Sequence, residues 1–333
     1  MRYLRYFIIS VALVFWLGGL SGTASHWLYD TGVIADDYRN GDLYRMSALP
    51  QFREPAPTCP PANRDADTAQ THLYILGDSF SEEQRLSQDD FRVSYYRRAK
   101  WDTPPVRVQL NPAKRNVLLM ETIERHVRGH FSKSVREVTV VKDTVQNPAP
   151  VLTAWQRIKE DIHWSDVEER LASALFSQRW AFWFKEIKAR LTLDWFNRAS
   201  VNVSLSEDKE HIFLNSDTDS AAPLSSFSEL SDREVSALVD SVNATADYYK
   251  RLGFDEVYLS IIPNKVTIVE PDRGMYNRLI PRIQNNPNLR VPTVNVYDPY
   301  KKATVSPYLT GDTHWTCVGR ATWLQLVWEK AGV

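Results

Sequence analysis

Three side chains in this 333-residue chain have the types and spacing for acyl chemistry at an alcohol. They are Ser79 in Gly77-Asp78-Ser79-Phe80, and Asp312 and His314 in Gly311-Asp312-Thr313-His314-Trp315. A serine hydroxyl is a weak nucleophile until a neighbouring base takes its proton, and an imidazole does this best when a carboxylate fixes its tautomer. Asp312 and His314 are two residues apart. On an extended segment residues i and i+2 point to one side, so both can face the serine; on a helix that spacing would part them. Alone, a Gly-Asp-Ser turn is weak, since chance supplies one in roughly one chain in ten of this length, and its serine can be a simple N-cap. A histidine beside a capping aspartate is equally ordinary. Both motifs, at opposite ends of one α/β domain, make the catalytic reading the stronger.

The elements that must position them read as α/β. His72 to Leu76 is a short apolar run closed by Gly77, a buried strand entering a turn. A strand-to-helix turn at the carboxyl edge of a parallel sheet is where such folds place ligands, and the unpaired N–H groups of the following helix start can bind an oxyanion. Phe91 to Tyr96 reads as a second strand, and Asn116 to Met120 as a third that feeds a helix from about Thr122 to Phe131. Residues 150–205 look like a helical insertion. Ser165 with Glu168 makes a capping box there, and Trp180, Phe184, Ile187, Leu191 and Trp195 recur at helical spacing. His211 to Leu214 is a further short strand. Ser231 with Glu234 opens a helix whose apolar face runs from Val235 to Tyr249, and Gly253 ends it. Glu256 to Ile262 is then a continuous apolar strand, as a sheet covered on both faces requires. A helix from about Met275 to Ile283, a strand from Thr293 to Val296 and a final helix bearing Val318, Ala321, Leu324, Val327, Trp328 and Ala331 complete the pattern. The fold class is α/β, a three-layer doubly wound parallel sheet.

Gly77-Asp78-Ser79-Phe80 with a C-terminal Asp-x-His resembles the SGNH/GDSL hydrolase superfamily. Asp312-Thr313-His314-Trp315 is most similar to the branch of alginate O-acetylation proteins, as are the stretches Leu110 to Arg125, Ile262 to Lys265 and Tyr308 to Asp312. The resemblance covers about residues 71–333. It implies a Ser79 nucleophile, a His314 base oriented by Asp312, and acetyl transfer to hydroxyls of an extracytoplasmic polysaccharide, with a polysaccharide or acyl-sugar substrate and a membrane acyltransferase as possible partner. Esterase or deacetylase activity shares the same machinery, and a non-catalytic glycan-binding or assembly protein on this fold is the reading from another class. Two departures matter. Alginate-type members carry Asp-x-His before the serine, whereas here the serine comes first. The superfamily's oxyanion Gly and Asn blocks are not evident; Asn111 and Asn264 are the candidates, with Lys265 and Trp315 as substrate or anion contacts.

Other features bound the reading. Net charge is −1, which gives no electrostatic case for nucleic acid. His126 and His130 are i and i+4, a spacing that can bind zinc, but no glutamate lies between them and no third ligand is in sight, so neither metal nor cofactor is expected. Glu121, Glu124 and Arg125 read as a salt-bridged helix start, with support of the site as the alternative for Glu121. Cys59 and Cys317 fit an oxidising compartment and could pair there, the balance leaning to two separate thiols. Arg2 and Arg5 precede an apolar run from Tyr6 to Leu20, so residues 1–24 read as a signal anchor in preference to a cleaved signal or a buried helix. The positive flank sets the chain as single-pass in the inner membrane with its body in the periplasm. Residues 25–70, rich in proline from Pro55 to Pro61, read as a tether.

Overall fold

The computed structural model describes residues 3–10, 13, 40–62, 70–102, 105–140 and 179–333. The chain divides into two compact units, Met1–Ala56 with Asp143–Ala199, and Pro57–Lys142 with Ser200–Val333.

The larger unit is built on a parallel sheet. Its strands, in chain order, are β1 (Thr71–Gly77), β2 (Tyr95–Lys100), β3 (Val106–Val108), β4 (Arg115–Ile123), β5 (Val138–Val140), β6 (Val203–Leu205), β7 (Ile212–Leu214), β8 (Glu256–Ile262) and β9 (Thr293–Val294). The central sheet runs β2-β1-β4-β8-β9 with every pairing parallel. β3 pairs with β5, and β6 with β7, as two-stranded ribbons. The main helices of this unit are α1 (Glu124–His130), α2 (Asp232–Leu252), α3 (Lys265–Val269) and α4 (Cys317–Ala331).

Strand alternation sorts the apolar side chains into two cores. Tyr74, Leu76, Leu118, Met120 and Leu259 face α2, whose Val235, Val239, Val242 and Tyr249 close one side. Leu73, Ile75, Val117, Leu119 and Tyr258 face α4, whose Trp323, Leu324 and Val327 close the other. Covering on both faces is what continuous apolar strands such as β8 demand, and it makes the α/β architecture one of a parallel sheet flanked by helices. From β1 the chain goes first to β2 on one side and then to β4 on the other. That reversal makes the carboxyl ends of β1 and β4 the switch point of the sheet, the place where open α/β sheets bind ligands.

Several elements differ from the sequence expectation. The second strand begins at Tyr95, and Phe91 is a buried residue ending a short 3₁₀ turn. β2 is an edge strand whose mostly polar residues stay in part exposed, so apolar density points to the wrong segment. Thr122 and Ile123 extend β4, leaving α1 to start at Glu124. The helix expected from Met275 is confined to Leu279–Gln284, and the last strand to Thr293–Val294. On α4 the buried stripe is Arg320, Trp323, Leu324, Val327 and Ala331; Val318, Ala321 and Trp328 are exposed. Ser231 caps α2 by accepting the Glu234 N–H, while the Glu234 carboxylate turns to Arg128. Gly253 takes the left-handed conformation that ends α2.

In the smaller unit, residues 42–47 form a helix and Leu43, Leu49 and Phe52 are buried, although this stretch reads as tether in the sequence. The helix Arg179–Phe196 lies in the same unit, where Glu186 accepts the Tyr44 hydroxyl and pairs with Arg53. Ser165, Glu168 and most of the expected anchor lie outside the described residues. Among the described residues no helix is long and apolar enough to cross a membrane.

Candidate active site

Gly77 closes β1 with no room for a side chain. A Cβ there would collide with Ser81 Oγ and lie 2.7 Å from Glu121 Oε2. Asp78 follows in extended conformation, and Ser79–Ser81 form one 3₁₀ turn in place of the longer helix expected. The turn is strapped from two sides. Glu121 on β4 accepts the Asp78 N–H at 2.9 Å, and Arg98 on β2 donates to Asp78 O at 2.6 Å and Gly77 O at 3.2 Å. Glu121 is fully buried, and that burial, together with the nearby Asp78 charge, pushes its pKa up to about 8. It supports the turn, the lesser of the two roles the sequence leaves it; Arg125 takes the salt-bridge role with Asp217 at 3.2 Å.

The second half of the site is the loop before α4. Asp312 and His314 are both buried, and they meet through a bend, not through the extended segment that their spacing suggests. Asp312 Oδ1 accepts the His314 backbone N–H at 2.9 Å and stands 2.5 Å from its Nδ1. One carboxylate oxygen thus holds both the main chain and the ring. Lys265, at the start of α3, donates to Thr310 O at 2.7 Å and to Asp312 O at 3.3 Å, fixing the loop against the end of β8. Tyr308 donates its hydroxyl to Pro263 O at 2.5 Å and bridges to Trp315 across the loop. Trp315 is buried beneath, 4.9 Å from the Phe80 ring, whose other neighbour is His314 at 4.8 Å. The loop runs into α4 at Cys317, which forms a disulfide with Cys59; the reading of two separate thiols is corrected.

These two halves, 235 residues apart in sequence, meet at a hydrogen bond: His314 Nε2 is 2.9 Å from Ser79 Oγ. Because a carboxylate can only accept, the proton on the ring belongs at Nδ1 facing Asp312, and Nε2 keeps its lone pair for the serine hydroxyl. Serine, imidazole and carboxylate therefore stand in the order that general-base activation of a nucleophile needs. Comparison with protein-family models, with curated proteins and with solved structures finds no match to this chain.

The other sequence candidates are placed elsewhere. Asn111 sits in the turn before β4, at the opposite edge of the sheet, and its carboxamide oxygen accepts the Ala113 N–H at 2.9 Å. Asn264 is fully buried after β8, where Oδ1 accepts the Arg125 N–H at 3.2 Å and Nδ2 donates one proton to Ser226 Oγ at 2.9 Å. Asn111, at the far end of β4, does not meet the Ser79 turn. Lys265 and Trp315 hold the loop. The Ser79 N–H, at the first position of its 3₁₀ turn, makes no hydrogen bond among the described residues and is the donor available to an oxyanion.

Two arginines escaped the sequence reading. Arg85 donates to Ser79 O at 3.1 Å and to Glu82 at 3.0 Å, and its other terminal nitrogen lies 3.2 Å from His314 Nδ1. With the Nδ1 proton committed to Asp312, that approach is electrostatic, placing positive charge beside the Asp312–His314 pair. Arg320 is buried on α4 and joins Asp90, Arg85 O and Pro60 O, tying the segment after the nucleophile to the disulfide region. An arginine on an otherwise apolar helix stripe is the one signal that marked it.

Proposed function

We propose that the chain is an SGNH-type serine acyltransferase that moves an acetyl group onto hydroxyls of an extracytoplasmic polysaccharide. The 2.9 Å contact between Ser79 Oγ and His314 Nε2, with Nδ1 held on Asp312, carries the reading. In the first half-reaction His314 takes the Ser79 proton as Oγ attacks the ester carbonyl. The tetrahedral oxyanion is met by the Ser79 N–H. The bond to the donor's alkoxide then breaks, and that oxygen leaves with the proton from His314. In the second half an acceptor hydroxyl gives its proton to His314 and attacks the acyl-serine, and Ser79 regains its proton on release. Asp312 keeps the imidazole in the working tautomer and stabilises the imidazolium formed twice per cycle.

The Cys59–Cys317 disulfide supports an oxidising, extracytoplasmic location. Attachment to the inner membrane through residues 1–24 and delivery of the acyl group by a membrane partner belong to the same proposal. Hydrolysis needs only that water replace the acceptor, so an esterase is the second reading, resting on the same contact.

A fluorophosphonate probe tests the enzyme reading. Labelling of wild type at Ser79, lost in Ser79→Ala and weakened in His314→Ala, is expected; folded wild type that takes no label overturns it. An activated acetyl ester supplied with glycan oligomers then separates transfer from hydrolysis. Acetate release that ignores the oligomers rules transfer out.

A further inference from the structure

A second histidine–carboxylate cluster lies beside the nucleophile turn and has no part in the proposed acyl transfer. Asp78, His126 and His130 each bring one ligating atom to within 4.8 Å of the others. Asp78 Oδ1 is 3.0 Å from His126 Nδ1 and 4.0 Å from His130 Nε2, and Asp102 Oδ2 approaches the same Nε2 at 3.5 Å. Asp78, the third member of the cluster, was not evident from the sequence, because it lies in the turn after β1 and the two histidines lie on α1.

Proton counting leaves His130 two arrangements. The Thr122 hydroxyl has one proton and three neighbours: Asp78 Oδ2 at 3.0 Å, Ile123 O at 3.3 Å and His130 Nδ1 at 2.9 Å. If the hydroxyl donates to Nδ1, the ring proton is at Nε2 and faces the carboxylates. If it donates to Asp78 or Ile123, Nδ1 donates to Thr122 and the Nε2 lone pair faces carboxylate oxygens of Asp78 and Asp102, where a cation can take the place of the proton. That ring is stacked on Trp101 at 4.3 Å between centroids, with its side chain only 6% exposed, so it cannot swing away into solvent. Imidazole nitrogens and carboxylate oxygens thus converge on one point beside the nucleophile turn.

We propose that Asp78, His126 and His130 bind a divalent cation, with zinc the best match, and that Asp102 closes the site as a fourth ligand. Zinc bonds of about 2.0–2.1 Å in a tetrahedron put neighbouring ligand atoms about 3.3 Å apart. The Asp78 distances of 3.0 Å to His126 and 4.0 Å to His130 bracket that value, and all three ligand atoms lie within 4.8 Å of one another. Asp102 Oδ2, 3.5 Å from His130 Nε2 but outside that cluster, would have to move in to complete the tetrahedron. A set of two imidazoles and two carboxylates suits zinc better than magnesium or calcium, which prefer all-oxygen shells. Two carboxylates also neutralise the dication. The outer shell is in place: Thr122 orients His130, and the Ile123 N–H at 2.8 Å holds Asp78 Oδ2, leaving Oδ1 for the ion. His126, 41% exposed, gives the ion a way in from solvent.

Tag-free, chelator-stripped full-length protein titrated with Zn²⁺, and in parallel with Co²⁺, tests this. The expected result is one saturable equivalent per chain, with the visible absorption of tetrahedral Co²⁺. His126→Gln and His130→Gln should each abolish saturable binding, and Thr122→Val should weaken it about 10-fold, as loss of an outer-shell partner does. Folded wild type that binds no Zn²⁺ saturably overturns the proposal, and so does one equivalent retained by both histidine variants. Should His130→Gln fail to fold, the more exposed His126→Gln decides by the same measurement. Ser79→Ala should bind Zn²⁺ as wild type does, so this test stands whether or not the serine is labelled.

Discussion

Two histidine–aspartate pairs flank the same short turn, and their difference lies in where the protons can go. At His314 the ring sits between a carboxylate 2.5 Å from Nδ1 and a hydroxyl 2.9 Å from Nε2. With the Nδ1 proton facing Asp312, the Nε2 lone pair meets the group whose proton it is to remove. At His130 the hydroxyl is on the Nδ1 side and the carboxylates are on the Nε2 side. The same residue types, with hydroxyl and carboxylate exchanged about the ring, set Nε2 against negative charge, where either a proton or a cation can sit. The first arrangement suits a base for an alcohol, and the second suits the proposed cation.

The sharpest way to break this contrast is to remove the groups that define its first half. Ser79→Ala and His314→Ala should each lower kcat by about 10⁴-fold or more, with thermal midpoints retained, because members of such a set act as a unit. Esterase assays with an activated acetyl ester read this directly. Asp312→Asn comes next. The oxygen facing Nδ1 also accepts the His314 backbone N–H, so an amide N–H₂ turned to that position gives up the backbone bond, drives the ring proton to Nε2 and denies the serine its base. A loss of about 10⁴-fold in kcat with little change in KM is expected. Retained turnover in Asp312→Asn would mean that the tautomer is set by something other than this carboxylate.

The sequence made the first half of the contrast legible and hid the second for a physical reason. Ser79, Asp312 and His314 sit in short motifs whose chemistry is written in neighbouring residues, and β1, which leads into Ser79, is a continuous apolar run. The cation site joins residues from two elements, and no local spacing announces that Asp78 will land opposite His126. The disulfide was hidden likewise: Cys59 and Cys317 are 258 residues apart, and only the packing of the segment before β1 against α4 brings them together. Asn111 misled because asparagine is as useful for closing turns as for holding an oxyanion, and Asn264 takes part in a buried network with Ser226 and Arg125. On α4, counting apolar residues selected Val318 and Trp328, whereas burial follows a stripe that includes charged Arg320.

Stability measurements sharpen the contrast further. Replacing Cys59 and Cys317 together by serine should cost about 2–5 kcal/mol in urea unfolding, as loss of a native disulfide does. The loop of Asp312 and His314 ends at this bridge, so that variant also reports whether the base stays in place when its anchor is freed. Asp78→Asn should cost about 1–3 kcal/mol. Asp78 accepts from Thr122 and the Ile123 N–H on one oxygen and from His126 on the other, so either amide orientation sets an N–H₂ against a donor. Where Asp312→Asn acts on kcat, Asp78→Asn should act first on the urea midpoint. If the two variants behaved alike, the distinction between the pairs would fall.

The smallest effect is a pH slope that belongs to neither pair but to the two buried glutamates behind them. Burial pushes Glu124 up to about 7 and Glu121 up to about 8, from the ordinary 4.5. Between pH 4.5 and those values the folded chain holds protons that the unfolded chain has released. Stability therefore falls as pH rises across that window, and the contribution is fully present only below about pH 4.5. Asp78 runs the other way: burial raises its pKa, but the His126 hydrogen bond, the His126 and His130 charges and the Ile123 N–H outweigh that and hold it low, so its share is lost only in acid. Urea midpoints should accordingly decline from pH 5 to pH 8. Glu124→Gln removes one titrating group and should flatten the part of the slope between pH 5 and 7, even though its amide fits less well among the Tyr276, Thr267 and Asn264 donors and lowers the whole curve. An undiminished slope in that variant would show that Glu124 enters the fold as a carboxylate, with its three donors sufficient to keep it charged.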